Sequence, residues 1–307
     1  MPDGTDLVSP KQAARAIGVS ESSLKRWCDQ GLLRIARTAG GHRKLPIAEV
    51  LRFARQHNHP LACPEILGLP AVSPQSESSL SRAVPLLTEA LLSGDELLSR
   101  QILIDLYQAR HRLSVILDDV MAAAFREIGD RWECHQAEIY QERRGCEIAQ
   151  RMLFDLRRLQ TPPSSPWTAI GATASGDQYT IPMTMAELVL RENGWQATSL
   201  GVSIPMSSLI HAVQTNRPAL FWLSVSYVSD PVDFLGEFAQ FSQACSDTGS
   251  ALVVGGRALT QDLRQKMTYS TFCDTMQQLE RFIATLQHSG KRRAAAGKKS
   301  PSTDKTA

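Results

Sequence analysis

The alternation of short apolar runs with amphipathic stretches after residue 166 constrains the fold of this chain more than any other feature. The apolar runs are nearly continuous, which is typical of strands that are buried on both faces of a sheet. They are WTAIGATA, WQATSLG, ALFWLSVS and GSALVVGG. The stretches between them have helical periodicity, at about 183–193, 206–215 and 231–247. This pattern predicts an α/β doubly wound parallel sheet over residues 167–288.

Helical periodicity dominates residues 80–160, upstream of the predicted sheet. A turn at Ser93-Gly94-Asp95 separates the first two helices, and a third helix is predicted to end near Gly129. A fourth helix covers the stretch QAEIYQERRGCEIAQRMLFDLRRLQ. Because short turns join antiparallel neighbours, these segments predict an up-down four-helix bundle.

Proline-rich breaks and a basic tail divide the chain. The segment HPLACPEILGLPAVSPQSESS contains four prolines and a serine-rich end, so we predict a linker over residues 60–79. The segment TPPSSP at 161–166 is a second break, since adjacent prolines stop a helix. Residues 289–307 are charged and aperiodic, which predicts a disordered basic tail.

The first 59 residues are basic, with ten Lys and Arg against five Asp and Glu. Such an excess of positive charge indicates a polyanionic partner. The stretch SPKQAARAIGVSESSLKRWCDQGLL predicts two short helices around a tight turn, with Ser9 and Ser20 as N-caps and Gly18 ending the first helix. This is the pattern of a helix-turn-helix over residues 1–59.

The second of these helices has an apolar and a basic face. Leu24 and Trp27 lie on the inward face, so we interpret Trp27 as a core residue. The following stretch LLRIARTAGGHRKLP predicts a hairpin with Gly40-Gly41 at its tip, which completes a winged arrangement. We predict contacts to the DNA groove from Ser22, Ser23, Lys25 and Arg26. We predict phosphate contacts from Arg37, His42, Arg43 and Lys44. A small helical domain with a solvated basic face is the alternative.

These residues resemble a known family. The pattern SPKQAARAIGVSESSLKRWCDQGLL…GGHRKL is similar to the winged helix-turn-helix of the MerR family over residues 7–56. The succession of head, bundle and sheet domain resembles the cobalamin-dependent photoreceptor repressors of the CarH/LitR type, up to about residue 288. That resemblance implies a Rossmann-like cobalamin-binding-type domain that receives the lower face and nucleotide tail of adenosylcobalamin. It also implies that the bundle caps the upper face of the cofactor.

The resemblance assigns a degenerate cofactor pocket to the sheet domain. The family motif is Asp-x-His-x-x-Gly, then Ser-x-Leu and Gly-Gly, and the residues that match it here are Asp177, Ser224, Gly255 and Gly256. The paired glycines are interpreted as positions where backbone approaches a ligand closely. Tyr179 replaces the cobalt-ligating histidine, Pro182 replaces the glycine and Ser226 replaces the leucine. A neutral phenol is a poor cobalt ligand compared with an imidazole.

The predicted bundle also lacks histidines that the family has. The resemblance assigns Trp132 and Glu142 to the cap over the upper face of the cofactor. Glu133 and Arg143 stand where the family has histidines, and His135 lies at a different helical angle. The bundle therefore keeps the two cap residues and lacks both imidazoles.

These observations predict a DNA-binding transcription regulator, a repressor that senses light or another signal through a protein partner rather than through bound cobalamin. No cofactor, metal ion or catalytic residue is predicted. Two alternatives stay open, an adenosylcobalamin-binding photoreceptor repressor and a corrinoid-carrying enzyme subunit, although the chain lacks a substrate barrel and a paired acid and base. The expected partners are double-stranded operator DNA, further copies of the chain in a dimer or tetramer, and a separate photoreceptor or anti-repressor protein.

Composition excludes several other classes. No apolar run reaches the roughly 18 residues of a membrane span, and the acidic N-terminus lacks the apolar core of a signal peptide. The six cysteines are scattered without a CxxC pair, which is against a metal cluster or a disulfide framework. We therefore expect a cytoplasmic protein with reduced thiols and no membrane partner.

Overall fold

The computed structural model describes residues 7–38, 40–57, 59–69, 80–163 and 165–297, with side chains described up to residue 288. The chain divides into two compact units, Met1–Ser165 and Pro166–Ala307. The first unit holds the basic head and the helical region, and the second holds a parallel sheet. Across the residues described, no helix combines the length and the apolar character that crossing a membrane requires.

The basic head combines three helices with a small antiparallel sheet. Its elements are β1 (Leu7–Val8), α1 (Pro10–Ala16), α2 (Glu21–Asp29), β2 (Ala36–Arg37), β3 (Arg43–Pro46) and α3 (Ile47–His57). β3 pairs with both β1 and β2, so the strand order is β1-β3-β2. The predicted N-caps are confirmed, because the Oγ atoms of Ser9 and Ser20 accept hydrogen bonds from backbone amides in the first turns of α1 and α2.

The first part of the predicted linker packs on the head. A 3₁₀ turn at Pro64–Leu67 follows α3, and Leu67 and Leu69 are buried. The amide of Cys63 donates to the carbonyl of Ala16 at 3.2 Å, at the end of α1. The apolar side chains between the prolines thus complete the core of the head, whereas residues 70–79 lie outside the described residues.

A series of helices joined by short connections follows the head. They are α4 (Leu80–Ser93), α5 (Glu96–Gln108), α6 (Leu113–Val115), a π-helical segment (Ile116–Met121), α7 (Ala122–Glu133) and α8 (Ile139–Leu159). The prediction that the third helix ends near Gly129 is wrong, because α7 continues to Glu133. A single glycine costs a helix only about 1 kcal/mol relative to alanine, and the residues around it favour the helix. Trp132 consequently lies in the last turn of α7.

The second unit is a five-stranded parallel sheet with helices between its strands. Its elements are β4 (Thr168–Thr173), α9 (Ile181–Glu192), β5 (Gln196–Ser199), α10 (Met206–Asn216), β6 (Leu220–Ser224), α11 (Pro231–Thr248), β7 (Ala251–Gly255), α12 (Gln261–Arg264), β8 (Thr271–Phe272) and α13 (Met276–Gly297). The predicted parallel sheet is confirmed, in the order β5-β4-β6-β7-β8. The backbone of α13 remains helical across the predicted start of the tail at residue 289, and residues 298–307 lie outside the described part.

The strand order indicates which edge of the sheet can bind a ligand, and this edge is called the ligand edge below. It reverses between β4 and β6, where the connections leave toward opposite sides of the sheet. Crevices at such a reversal, outside the carboxyl ends of the strands, are where open α/β sheets bind ligands. Residues 174–180 follow β4 and residues 225–230 follow β6, so both loops lie at this edge.

Candidate functional site

The recognition helix α2 exposes two basic side chains. Lys25 Nζ lies 2.8 Å from the carboxylate of Glu21, one turn earlier, and this contact lowers the pKa of Glu21. Arg26 is exposed, and none of the described residues forms an ion pair or a hydrogen bond with its guanidinium. The face of α2 is therefore available to an acceptor from outside the chain, with Arg26 as its free cation.

The predicted serine contacts belong to the start of this helix. Ser22 is exposed, and its Oγ lies 2.9 Å from the Oγ of the N-cap Ser20. The same Ser20 hydroxyl donates to Ser23 Oγ at 2.9 Å. The three hydroxyls form one local hydrogen-bonded group around the N-cap, in which Ser23 is half-buried.

The hairpin of β2 and β3 carries the predicted phosphate contacts. Arg37 and His42 are exposed, Lys44 is half-buried, and Arg37 lies opposite Arg43 in the antiparallel register. Arg43 differs from the others, because its Nη1 donates to the carboxylate of Asp29 at 2.7 Å. Asp29 is the last residue of α2, so this ion pair ties the hairpin to the recognition helix. Sequence reasoning missed Asp29, since nothing local indicates its partner.

Trp27 lies against the aromatic side of the head. Its ring centroid is 4.8 Å from that of Phe53 and 5.2 Å from that of His59. The neighbouring Leu24 is completely buried. These contacts support the interpretation of Trp27 as a core residue.

Asp177 closes the turn after β4 at the ligand edge of the sheet. Its side chain is fully buried. One carboxylate oxygen accepts from the amide of Tyr179 at 3.0 Å, and the other accepts from the amide of Ser226 at 2.6 Å. Both oxygens therefore join the backbones of the loops after β4 and β6. The Asp177 carboxylate thus holds the backbone amide of Tyr179 and does not contact the Tyr179 side chain through this bond.

Tyr179 is bonded to an arginine across the same edge. Arg257 Nη2 donates to the phenol oxygen at 2.7 Å, and its guanidinium carbon lies 4.7 Å from the ring centroid. The guanidinium engages the oxygen and places a positive charge beside it, which disfavours a second cation there. Sequence reasoning missed Arg257, although its place directly after the glycine pair and β7 put it at the carboxyl edge.

The glycine pair is explained by the chain's own backbone. A Cβ on Gly255 would lie 2.6 Å from the carbonyl oxygen of Cys273, and one on Gly256 would lie 2.3 Å from that of Val225. Gly256 also has a φ of 118°, which side chains disfavour. Glycine is thus required at both positions without any ligand. The pair therefore has a structural reason within the chain, and its role in approaching a cofactor stays a prediction.

Trp222 fills the space beside Ser224. Both residues lie on one face of β6, opposite the face on which Phe221 and Leu223 join the core with α10 and α11. The Trp222 indole covers Gly171 of β4, where a Cβ would come within 1.9 Å of the ring, and it is only 3% exposed. The Trp222 Nε1 and the Ser224 Oγ are both buried without a hydrogen-bond partner among the described residues. Trp222 would therefore be a neighbour, on the same face of β6, of any nucleotide tail that the resemblance places at Ser224.

The residues assigned to the cap lie at the junction of α7 and α8. Trp132 is 46% exposed near the end of α7, and Glu142 is half-buried in the first turn of α8. Glu133 and Arg143 are exposed. His135 lies in the turn between the helices with a φ of 55°. The junction thus presents the indole of Trp132, and the charged side chains of Glu133 and Arg143 occupy the two positions where the resemblance implies imidazoles.

The sheet-domain residues do not fit a protein-ligated cobalt ion. The position assigned to the metal ligand holds a phenol that is bonded to Arg257, and the volume beside Ser224 holds an indole. In the part of the chain that the structure describes, no group of three or more His, Cys, Asp or Glu could hold a metal ion. Two buried polar atoms on this face, Ser224 Oγ and Trp222 Nε1, have no hydrogen-bond partner among the described residues, so a ligand could satisfy them.

Two segments match known domain families. Residues 7–58 match the family described as a helix-turn-helix domain, and residues 86–154 match the family described as a B12 binding domain. The second match lies in the helical region from α4 to α8 and not in the parallel sheet. It makes cobalamin binding possible, and it conflicts in part with the prediction that no cofactor is bound.

Solved structures show the fold of the larger part of the chain. A monomethylamine corrinoid protein of Methanosarcina barkeri superposes with a TM-score of 0.57 at 12% identity, covering 68% of this chain and 100% of that one. A cobalamin-binding protein of Desulfitobacterium hafniense covers 67% of this chain and 98% of its own, with 17% identity and a TM-score of 0.38. Comparison with curated proteins found no match.

A helix-turn-helix head, a helical region and a parallel α/β domain with the fold of corrinoid proteins therefore define the class of this protein.

Proposed function

We propose that the chain is a DNA-binding transcription regulator of the CarH/LitR type that acts as a repressor. The observation that carries this proposal is the exposed basic face of α2 within a matched helix-turn-helix domain, where Arg26 has no partner among the described residues. The N-terminal residues of a recognition helix contact base edges in the major groove. The exposed Arg37 on the adjacent hairpin is suited to a phosphate.

The signal reaches this regulator through a protein partner that binds the helical or the sheet domain. The support is chemical, since Tyr179 is bonded to Arg257 and Trp222 fills the face beside Ser224. A phenol in that setting neither replaces an imidazole as a cobalt ligand nor leaves its oxygen free. A response to light then requires a separate photoreceptor or anti-repressor protein that binds this chain.

A second candidate is an adenosylcobalamin-binding photoreceptor repressor. The match of residues 86–154 to a B12 binding domain favours it. In that case the cap residues Trp132 and Glu142 would lie against the cofactor, and the sheet domain would supply no metal ligand. Both candidates are proposed as regulators; in support, the buried carboxylate of Asp177 at the ligand edge is bonded to two backbone amides and not to a side-chain base.

The experiment is selection of bound duplexes from a random DNA library by the purified full-length chain. We expect a duplex with two related half-sites to be enriched, and we expect Arg26→Ala to abolish or change the preference at one base pair per half-site. Absence of any enriched sequence at low salt contradicts the proposal. The same selection with and without adenosylcobalamin distinguishes the two candidates.

A further inference from the structure

The basic head contacts the bundle through one of its own arginines. Arg55, on α3, donates from Nη2 to the backbone carbonyl of His111 at 2.7 Å. Its guanidinium carbon also lies 4.1 Å from the centroid of the Tyr107 ring. Both partners belong to the end of α5 and the turn that follows it, and α3 packs on α8 of the same bundle. The head is therefore docked, in contrast to the loose tether that its proline-rich connection suggests.

The backbone at the end of α5 holds this acceptor in place. The amide of Arg110 donates to the carbonyl of Tyr107, and the amide of His111 donates to that of Leu106. Arg110 has a φ of 69°, so the two bonds form a Schellman turn with arginine in the left-handed position. A helix C-terminus carries partial negative charge, and an aromatic face attracts a guanidinium. The partial negative charge at the end of α5, the Tyr107 ring and the His111 carbonyl thus all stabilise the Arg55 guanidinium at this position.

Docking leaves the DNA face of the head open. Lys25, Arg26 and Arg37 are exposed, whereas Arg55 is partly buried against the bundle. Arg55 is one of the ten basic residues of the first 59, yet its charge is engaged inside the protein. The contact therefore does not block the recognition helix; it fixes the direction in which that helix is presented.

We propose that Arg55 is a positioning residue, which fixes the DNA-reading head on the bundle so that two copies of the chain present their heads at a defined spacing. This inference rests on the proposed DNA-binding function. A duplex with two half-sites can be read by both heads at once only when their separation matches, and preorganisation reduces the entropy lost on binding.

The test compares two DNA probes with full-length variants. The first probe is a two-half-site duplex selected by the wild-type chain, and the second is the same duplex with one half-site scrambled. Arg55→Ala is expected to weaken binding to the first probe about tenfold, which is about 1.4 kcal/mol. Binding to the second probe and its salt dependence should stay unchanged. Arg55→Lys keeps the charge without the planar fork, so its loss should be smaller than that of Arg55→Ala.

A variant on the bundle side separates positioning from direct DNA contact. Tyr107→Leu removes the ring without altering the head, and it should weaken the two-half-site probe selectively, as Arg55→Ala does. Arg26→Ala serves as the control, because loss of a direct contact should weaken both probes. Equal losses of Arg55→Ala on both probes, with a salt slope lower by about one, would make Arg55 a phosphate contact and overturn the proposal. Unchanged binding to both probes would overturn it as well.

A measurement without DNA tests whether Arg55 contacts the end of α5. Hydrogen exchange of the amides from Leu106 to Leu113 is expected to become severalfold faster in Arg55→Ala, because the turn loses its partner. Unchanged exchange in that segment would show that Arg55 does not hold the head. If the wild-type chain selects no duplex, the proposed function fails, while this exchange result still tests the docking contact independently.

Discussion

The recognition face of the head and the carboxyl edge of the parallel sheet are both rich in polar side chains, but they engage them differently. In the head, Arg26 and Arg37 are exposed, and no described residue forms an ion pair or a hydrogen bond with either guanidinium. At the sheet edge, Asp177 binds two backbone amides and the hydroxyl of Tyr179 binds Arg257. Side chains directed at solvent suit a ligand from outside, whereas side chains bonded to one another stabilise the edge itself.

At the sheet edge, the strand order and the side chains lead to different expectations about ligand binding. The sheet has the strand order and the reversal between β4 and β6 that create a ligand crevice, and its fold is that of corrinoid proteins. At the crevice, the side chains of Asp177 and Tyr179 are nevertheless bonded to groups of the chain itself. A shared fold therefore indicates where a ligand could bind, and the donor atoms decide whether it does.

The largest expected effect concerns the indole that fills the sheet face. Trp222→Ala removes a buried ring packed on Gly171, so it should lower the free energy of unfolding by about 3–5 kcal/mol. Urea titration monitored by circular dichroism measures this change. Phe154→Ala, which truncates an exposed aromatic ring, is the control and should cost less than about 1 kcal/mol. A near-neutral Trp222→Ala would mean that the face is loosely packed and open to a ligand.

The next effect concerns the free cation of the recognition helix. Arg26→Ala should weaken operator binding by about 1–3 kcal/mol and relax the preference at one base pair, because an arginine reads guanine through two hydrogen bonds. Fluorescence anisotropy with single-base operator variants measures both quantities. A uniform loss across all variants would place Arg26 on the phosphate backbone.

A smaller effect separates the two arginines of the hairpin. Arg37→Ala should lower the slope of log affinity against log salt by about one, since a free cation contacts a phosphate. Arg43→Ala should change that slope less, because Arg43 is already paired with Asp29. Asp29→Asn, which frees Arg43, should leave the slope equal or steeper. Equal slope changes for Arg37→Ala and Arg43→Ala would show that the ion pair opens on DNA.

The smallest effect concerns the bond across the sheet edge. Tyr179→Phe removes the acceptor of Arg257 at a partly exposed site, so the cost to stability should be about 0.5–1.5 kcal/mol. DNA affinity should not change. Thermal unfolding and anisotropy titrations of the same preparation measure the two quantities. A loss of DNA affinity without a loss of stability would assign Tyr179 to signalling instead of to the edge.

Local patterns in the sequence predicted the elements better than the contacts between them. The apolar runs located β4 to β7 because buried parallel strands have a distinctive composition, whereas β8 has only two residues and leaves no periodicity. The cap serines and the basic faces were also readable from spacing. The role of Trp222 was not, since its overlap with Gly171 depends on the register of two strands that are distant in sequence.

Long-range pairs explain the remaining differences. Arg55 and His111 are 56 residues apart, so the linker composition of residues 60–79 could not indicate that the head contacts the helical region. The bond between Arg257 and Tyr179 spans 78 residues. Motif comparison identified the replacement of the histidine, and only the fold shows that an arginine engages the tyrosine in its place.

The most direct test of this account is the retention of a corrinoid. Purified full-length protein is incubated with adenosylcobalamin in darkness and passed through gel filtration, with absorbance recorded for the protein and the corrinoid. We predict that the protein elutes without corrinoid, and that its operator affinity is the same in darkness and after illumination. A corrinoid that elutes with the protein in near-stoichiometric amount, together with light-sensitive DNA binding, would contradict the account and support direct light sensing by this chain.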